Sequence, residues 1–263
     1  MCIVLFAWKV RKDFPLVMAA NRDEFYERPT VQACPWPGSA GVIAGRDVQE
    51  NGTWMGVAED GRFGALTNFR EPRALRADAP SRGALVRDYL LGGLPPLEYL
   101  QRIEPNAGDY NPFNVLLGDP CKLYWLSNMG EGIKEVPPGI HGLSNALLDT
   151  PWPKVVRGKA ALAEAVSRPE LCEQSLFSLL SDPTPAPDDQ LPDTGVGPAW
   201  EKVLSAIFVQ SPVYGTRSST ILLVDSGGAM IFEERHHVPL EPGGEAPEKP
   251  VRYELKMPSW KEG

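Results

Sequence analysis

The sequence predicts an α+β fold, on three observations. Apolar, β-branched runs crowd both ends of the 263 residues. Helical patterns occupy the middle, and the chain has neither strand–helix–strand alternation nor a dinucleotide-type glycine fingerprint. At the N-terminal end, residues 3–10 are β-branched and aromatic, Arg11-Lys12-Asp13 makes a charged turn, and residues 15–20 run apolar again. This reads as a hairpin whose second strand ends at Asn21-Arg22-Asp23-Glu24. Residues 41–45 form a short strand. Residues 53–58 and 62–69 flank Glu59-Asp60-Gly61, and an Asp-Gly pair between apolar runs signals a hairpin.

Ser81 is expected to cap a helix that runs to Leu91 and stops at Gly92-Gly93, and a second helix to span residues 96–103. Strands return at 113–117 and 122–126. Residues 154–166 and 171–180 are amphipathic at helical spacing, and 199–208 are a shorter helix. Residues 218–224 and 229–234 make a hairpin through Asp225-Ser226-Gly227-Gly228, and 251–255 a last strand. Residues 181–198, rich in Pro and Asp, read as a mobile loop, and 241–250 as the loop before the last strand. With no repeat and no clean linker, residues 1–263 read as one domain.

Composition narrows the function. The chain carries 26 basic and 34 acidic residues, a net charge of −8, which opposes binding to nucleic acid or to anionic lipid. No run approaches the roughly 18 apolar residues of a membrane span, and the N-terminus has no signal-peptide pattern. Four scattered cysteines without a CxxC pair argue against a zinc ribbon and a disulfide scaffold, so a reducing cytoplasm is the expected location. Cys121 and Cys172 read as buried thiols, Cys34-Pro35-Trp36-Pro37 as a rigid loop, and His236-His237 as a surface hairpin end. No metal site is expected, and the acidic stretch 182–193 lacks the residue placement of a calcium loop.

Cys2 is the residue with chemistry. Removal of Met1 would leave its thiol beside a free α-amine, both titrating near physiological pH, a compact nucleophile–base pair. On position alone, a small apolar residue opening a strand is the first reading and a nucleophile the second. Asp23, at the end of the second strand, is placed to hold such an amine. Three further polar islands close or open apolar segments: Thr67-Asn68-Phe69-Arg70, Leu143-Ser144-Asn145-Ala146, and Tyr214-Gly215-Thr216-Arg217-Ser218-Ser219-Thr220. Asparagine amides suit oxyanion donation and Arg217 suits an acidic ligand, although each island alone also reads as a turn, a cap or a surface pair.

Together with Met1-Cys2-Ile3, Asn21-Arg22-Asp23-Glu24 and Gly52-Thr53-Trp54, these islands resemble the NRDE family, also called the Transport and Golgi organisation family. The resemblance implies a four-layer αββα sandwich of the N-terminal nucleophile hydrolase type, with choloylglycine and penicillin V amidases as the related enzymes. It implies Cys2 as nucleophile, Asp23 near its amine, Asn145 and Asn68 as oxyanion donors, and Arg217 on a late strand. Asn21, Arg22, Arg70, Thr216, Ser218 and His141 are the expected ligand contacts. One departure stands out: the amidases carry an arginine three residues before the aspartate, where this chain has Ala20. Arg22, next to Asp23, would point to the other face of a strand. Two functions are therefore open. One is hydrolysis of a small amide or thioester. The other, implied by the family's association with haem trafficking and acyl-CoA or lipid homeostasis, is a carrier holding haem or an acyl ligand in the same pocket. Cys2, His141, His236 and His237 are then the axial candidates, and Arg22, Arg70 or Arg217 would take the carboxylates. The sequence does not indicate an oligomeric state.

Overall fold

In the computed structural model, which describes residues 2–39, 41–238 and 249–256, two antiparallel sheets lie face to face with helices outside each. The alternating apolar residues of the N-terminal hairpin set this arrangement. Strands β1 (Cys2–Trp8) and β2 (Leu16–Phe25) pair from Cys2–Arg22 to Trp8–Leu16. Their Val4, Phe6, Trp8, Leu16, Met18 and Ala20 turn inward to the core between the sheets. Their Ile3, Leu5, Ala7, Val17 and Ala19 turn outward to a helix layer. A strand with apolar residues on both faces is the pattern of a sheet covered on both sides.

The second sheet follows in chain order: β3 (Thr30–Pro35), β4 (Val42–Asp47), β5 (Met55–Ala58), β6 (Phe63–Asn68), β7 (Phe113–Gly118), β8 (Leu123–Ser127) and the two-residue β9 (Lys134–Glu135). Met55, Val57, Phe63, Ala65, Leu116 and Trp125 face the first sheet. Its outer face packs on α1 (Gly83–Leu91) and α2 (Pro96–Ile103) through Val86, Tyr89, Leu90, Tyr99 and Leu100. The first sheet is completed by β10 (Gly139–Leu143) beside β1, and by β11 (Tyr214–Val224), β12 (Ala229–His236) and β13 (Val251–Lys256) beyond β2. Its outer layer is α3 (Pro153–Ser167) and α4 (Glu173–Leu180), with Leu162, Val166, Leu176, Phe177 and Leu180 on the sheet. A short α5 (Pro198–Leu204) follows. The layers read α–β–β–α.

Several local expectations need correction. Strand β2 does not end at Asn21 but runs through the polar tetrapeptide to Phe25, because β1 and β11 flank it and bury Asn21, Arg22 and Asp23. Part of the Cys34–Pro37 segment is strand: Cys34 and Pro35 pair with Ala44 and Ile43, a proline an edge strand tolerates. Trp36 then buries itself in the outer core of the second sheet. Residues 139–143, which read as part of a Gly/Pro-punctuated loop, form β10 by pairing with β1. Ser81 does not cap α1, which begins after Arg82 without any side-chain cap. Cys172 is exposed and Cys121 half-exposed, so neither is a core thiol. His236 is not at the surface: its side chain is 2% exposed and bonded to Glu234 at 2.8 Å. Residues 181–198 are irregular apart from one 3-10 turn at Asp188–Gln190. Most of the expected loop at 241–250 lies outside the described residues.

Candidate active site

One end of the sandwich gathers the polar residues that the sequence singles out. Strand pairing brings Arg22 opposite Cys2 on one side. On the other side β10 runs antiparallel to β1 as far as Val4–Leu143, and Asn145 follows two residues later. Cys2 is thus bracketed by a guanidinium-bearing strand and an asparagine-bearing loop.

Asn145 is fully buried and donates its amide to the Asn68 carbonyl at 2.8 Å, while its own carbonyl accepts from the Arg70 N–H. The loop that carries it is held by Thr67 Oγ1 to Ser144 O at 2.6 Å and by Asn114 Nδ2 to Ala146 O at 2.9 Å. The end of β6 and the loop after β10 therefore form one hydrogen-bonded unit, and Asn68 lines the adjoining cleft.

Asp23 is 1% exposed. Burial pushes its carboxyl above the usual range, opposed first by the positive charge of Lys154 and then by others including Arg70. Thr216 Oγ1 donates to Oδ1 at 2.7 Å, and the Tyr214 hydroxyl donates to the main-chain carbonyl at 3.0 Å. Lys154, the second residue of α3, is 1% exposed. Arg70 is buried against Glu201 of α5 at 2.6 Å, with both side chains 3% exposed, and lies over the Trp152 ring. Its burial lowers its own proton affinity despite that partner.

Between Thr216 and Ser218 the β11–β2 pairing slips by one residue, a bulge in which Arg217 is the additional residue. Its guanidinium donates to the carbonyls of Phe25 and Arg28 and so clamps the turn after β2. Burial, with Arg22 nearby, lowers its pKa to about 10. Ser218 pairs with Arg22 on one side and His236 on the other, and Ser218 Oγ and His236 Nδ1 are buried without a partner. Asn21 faces away: its amide donates to Leu180 O and Ile207 O, and its oxygen accepts from Ser219 Oγ at 2.6 Å. His141 lies four residues along the sheet, opposite Phe6, with its nitrogens at 2.7 Å from Asp149 and 2.9 Å from Pro137 O.

The structure thus brings Asp23, Arg22, Asn68, Asn145, Arg70, Thr216, Arg217 and Ser218 to the end of the sheets where β1 begins. Asn21 and His141 are spent on contacts elsewhere. Lys154, Glu201, Asp47 and Trp54 are additional functional candidates. Trp54 stood inside the quoted Gly52-Thr53-Trp54 motif, but nothing local marks Lys154 or Glu201 as buried. A cleft of about 920 Å³, counting its open mouth, starts at Arg22 and Asp23 and passes Trp54 and Asn68 to Arg76 and Arg82. Among the described residues no cluster of His, Cys, Asp and Glu is placed to hold a metal ion, and no helix is long and apolar enough to cross a membrane.

A sequence model of the Transport and Golgi organisation 2 family matches residues 1–239. The chain belongs to this family. Its similarity to the mouse Transport and Golgi organization 2 homolog is 38% identity over 257 residues, covering 89% of this chain and 92% of the relative. The Drosophila melanogaster Transport and Golgi organization protein 2 is 30% identical over 273 residues, covering 93% and 95%. Among solved structures, the C2A variant of conjugated bile acid hydrolase from Clostridium perfringens aligns with a TM-score of 0.52 at 8% identity, over 100% of this chain and 97% of that one. At that identity the likeness concerns the fold, which is the αββα sandwich of the N-terminal nucleophile type. In this member of the Transport and Golgi organisation 2 family, then, the Asn21–Glu24 tetrapeptide lies at the end of a central strand, with Arg22 on one face and Asp23 on the other.

Proposed function

We propose that this protein is a cysteine hydrolase of the N-terminal nucleophile type, acting on a small amide or thioester through Cys2 after removal of Met1. The observation that carries the reading is the pairing of Cys2 with Arg22, a residue that lines the cleft, with Asn145 flanking the other side. The thiol sulfur attacks the substrate carbonyl carbon, and its proton passes to the Cys2 α-amine. The Asn145 amide, whose geometry is fixed by the Asn68 carbonyl, and the cleft-facing Asn68 receive the developing oxyanion. The carbon–nitrogen or carbon–sulfur bond breaks as the amine returns its proton to the leaving group. Water then hydrolyses the acyl-thioester and restores the thiol. Asp23, held by Thr216 and close to Lys154, orients the amine end. Residues 181–198 border this region through Thr194, bonded to Glu201, and are proposed as its lid.

The carrier reading uses the same cleft. Against haem stand a lining made mostly of charged and polar residues and histidines already engaged: His141 with Asp149, His236 with Glu234, His237 with Ser219. The hydrolase reading is tested by the intact mass of tag-free protein before and after a thiol-reactive acylating probe. Loss of Met1 with one fast adduct mapped to Cys2, abolished in Cys2→Ala, is expected. Retained Met1, or Cys2 no faster than exposed Cys172, overturns the reading.

A further inference from the structure

Arg22 is the residue paired with Cys2, and three neighbours fix it in the cleft wall. Its guanidinium reaches Thr30 Oγ1 and Asp47 Oδ2, each at 3.3 Å, and stacks 4.3 Å from the centre of the Trp54 ring. It is 6% exposed. The carboxylate of Asp47 is shared, because Arg28 Nε also binds Oδ2, at 2.5 Å. Two guanidinium groups on one carboxylate leave a net positive charge beside the residue paired with Cys2.

The remaining ionisable groups of the cleft do not remove that charge. Asp23 lies on the opposite face of β2, hydrogen-bonded to Thr216. Glu24 keeps its charge while accepting from the Phe25 N–H at 2.9 Å, but Arg217, whose guanidinium feels both Arg22 and Glu24, offsets it, and Glu50 is exposed, where water screens it. Across the cleft stand Arg82 and the exposed Arg76, the latter screened as Glu50 is, with donors on the carbonyls of Gly108, Asp109 and Pro112. The uncharged lining mixes small residues, among them Gly52, Thr53, Ala77 and Ala79, with Leu66, Asn68 and the Trp54 ring on which Arg22 stacks. Such walls suit a compact anion better than a long apolar chain.

We propose that Arg22 determines the specificity of this cleft, which takes acyl compounds carrying an oxyanion group such as a carboxylate or a phosphate. The inference rests on Cys2 being the nucleophile and names the substrate class for that reaction. Arg22 stands two residues beyond Ala20 on the same face of β2, and its partner is Cys2 where that of Ala20 is Val4. The guanidinium is therefore supplied from that pair rather than from position 20.

The test uses the full chain with Cys34, Cys121 and Cys172 replaced by serine, and two alkylating reagents of similar size, anionic iodoacetate and neutral iodoacetamide. One uncompensated charge at cleft distances favours the anion by about threefold to tenfold relative to a free thiol. Arg22→Gln is expected to return the ratio to that of glutathione and to raise the pH midpoint of Cys2 alkylation, while Arg22→Lys keeps part of the preference. Should Arg22→Gln fold poorly, Asp47→Asn supplies the converse, since removing the counter-charge raises the ratio. High salt should lower it in every arginine-bearing form. A ratio equal to that of glutathione, or one unmoved by Arg22→Gln and Asp47→Asn, overturns the assignment of Arg22 while leaving Cys2 as nucleophile. Inertness of Cys2 to both reagents removes the nucleophile itself, and this inference with it.

Discussion

A buried ion pair decides what a single residue is worth at this site. Arg70 and Glu201 are 131 positions apart, meet at 2.6 Å, and are each 3% exposed. Glu201 also accepts from the Thr194 N–H and hydroxyl at 2.7 and 2.6 Å. Glu201→Gln keeps the shape but leaves the guanidinium without its carboxylate, and we expect a loss of about 3 kcal/mol in chemical denaturation. Adding Arg70→Met should cost less than the two single changes summed, since it removes the stranded charge; strict additivity would show that the pair is not coupled. At this scale the sequence is least legible. Nothing near Glu201 or Lys154 says that a charged residue in the first turns of an amphipathic helix faces inward, because the charges that accompany it come from distant strand ends. Asp23 and Asn145 stand out in the sequence as polar residues at the ends of apolar runs, and the family resemblance supplies the role expected of each. Strand alternation puts Arg22 on the face opposite Asp23, but its pairing with Cys2 follows only from the register.

At the scale of elements, the cleft depends on how closely α1 approaches the turn before β5. Gly52 and Gly83 touch backbone to backbone, and the Thr53 N–H donates to the Gly83 carbonyl at 3.1 Å. A Cβ on Gly52 would lie 2.7 Å from the Gly83 main chain, which is not a flexible side-chain tip that can swing away. Gly52→Ala is therefore expected to cost about 1–3 kcal/mol by forcing the helix outward. Both glycines line the cleft, so the same change should alter the alkylation rate of Cys2 without touching any charged group. A melting temperature and a Cys2 rate both equal to those of the unaltered protein would contradict this. The helices and most hairpins were legible because their periodicity is local. Strand β10 was not: its five residues include two glycines and a histidine, and only hydrogen bonds to β1 make them a strand. The polar end of β2 misled for the converse reason, since Asn-Arg-Asp-Glu has turn-like propensity that burial between two neighbours overrides.

For the whole molecule, acid is the informative perturbation. Asp149 joins β10 to α3 by accepting from His141, from Lys159 at 2.6 Å and from the Gly142 N–H at 2.9 Å. Burial raises its pKa, but these bonds outweigh it and bring it to about 2, against 3.8 unperturbed. A depressed carboxylate stabilises the fold fully above the unfolded value and loses that contribution as pH falls from about 4 towards 2. Asp23 acts in the opposite sense, its raised carboxyl favouring the folded state as the pH drops. Comparison with Asp149→Asn isolates the first effect. The substitution should cost about 1–2 kcal/mol at pH 6, allowing for solvent screening, and close to nothing at pH 2. A difference independent of pH would refute the linkage. The four-layer arrangement itself was legible through family resemblance, whereas strand composition alone gave only α+β, because periodicity records which residues are buried and not which sheet buries them.

The irregularity at Arg217 has a consequence for how such a site can be modified. Thr216 continues to face Asp23 and Ser218 to face the second sheet, as they would in an uninterrupted strand lacking position 217. The sheet has thus accepted one extra amino acid without changing the alternation on either side of it, and has used that amino acid's long side chain to reach the main chain at Phe25 and Arg28. Deleting Arg217 should leave the packing of Ile221 to Val224 in place while freeing the segment that presents Arg28 to the cleft. The presence or absence of a single amino acid at this point thus reshapes one wall of the pocket while the strand beneath it stays in phase.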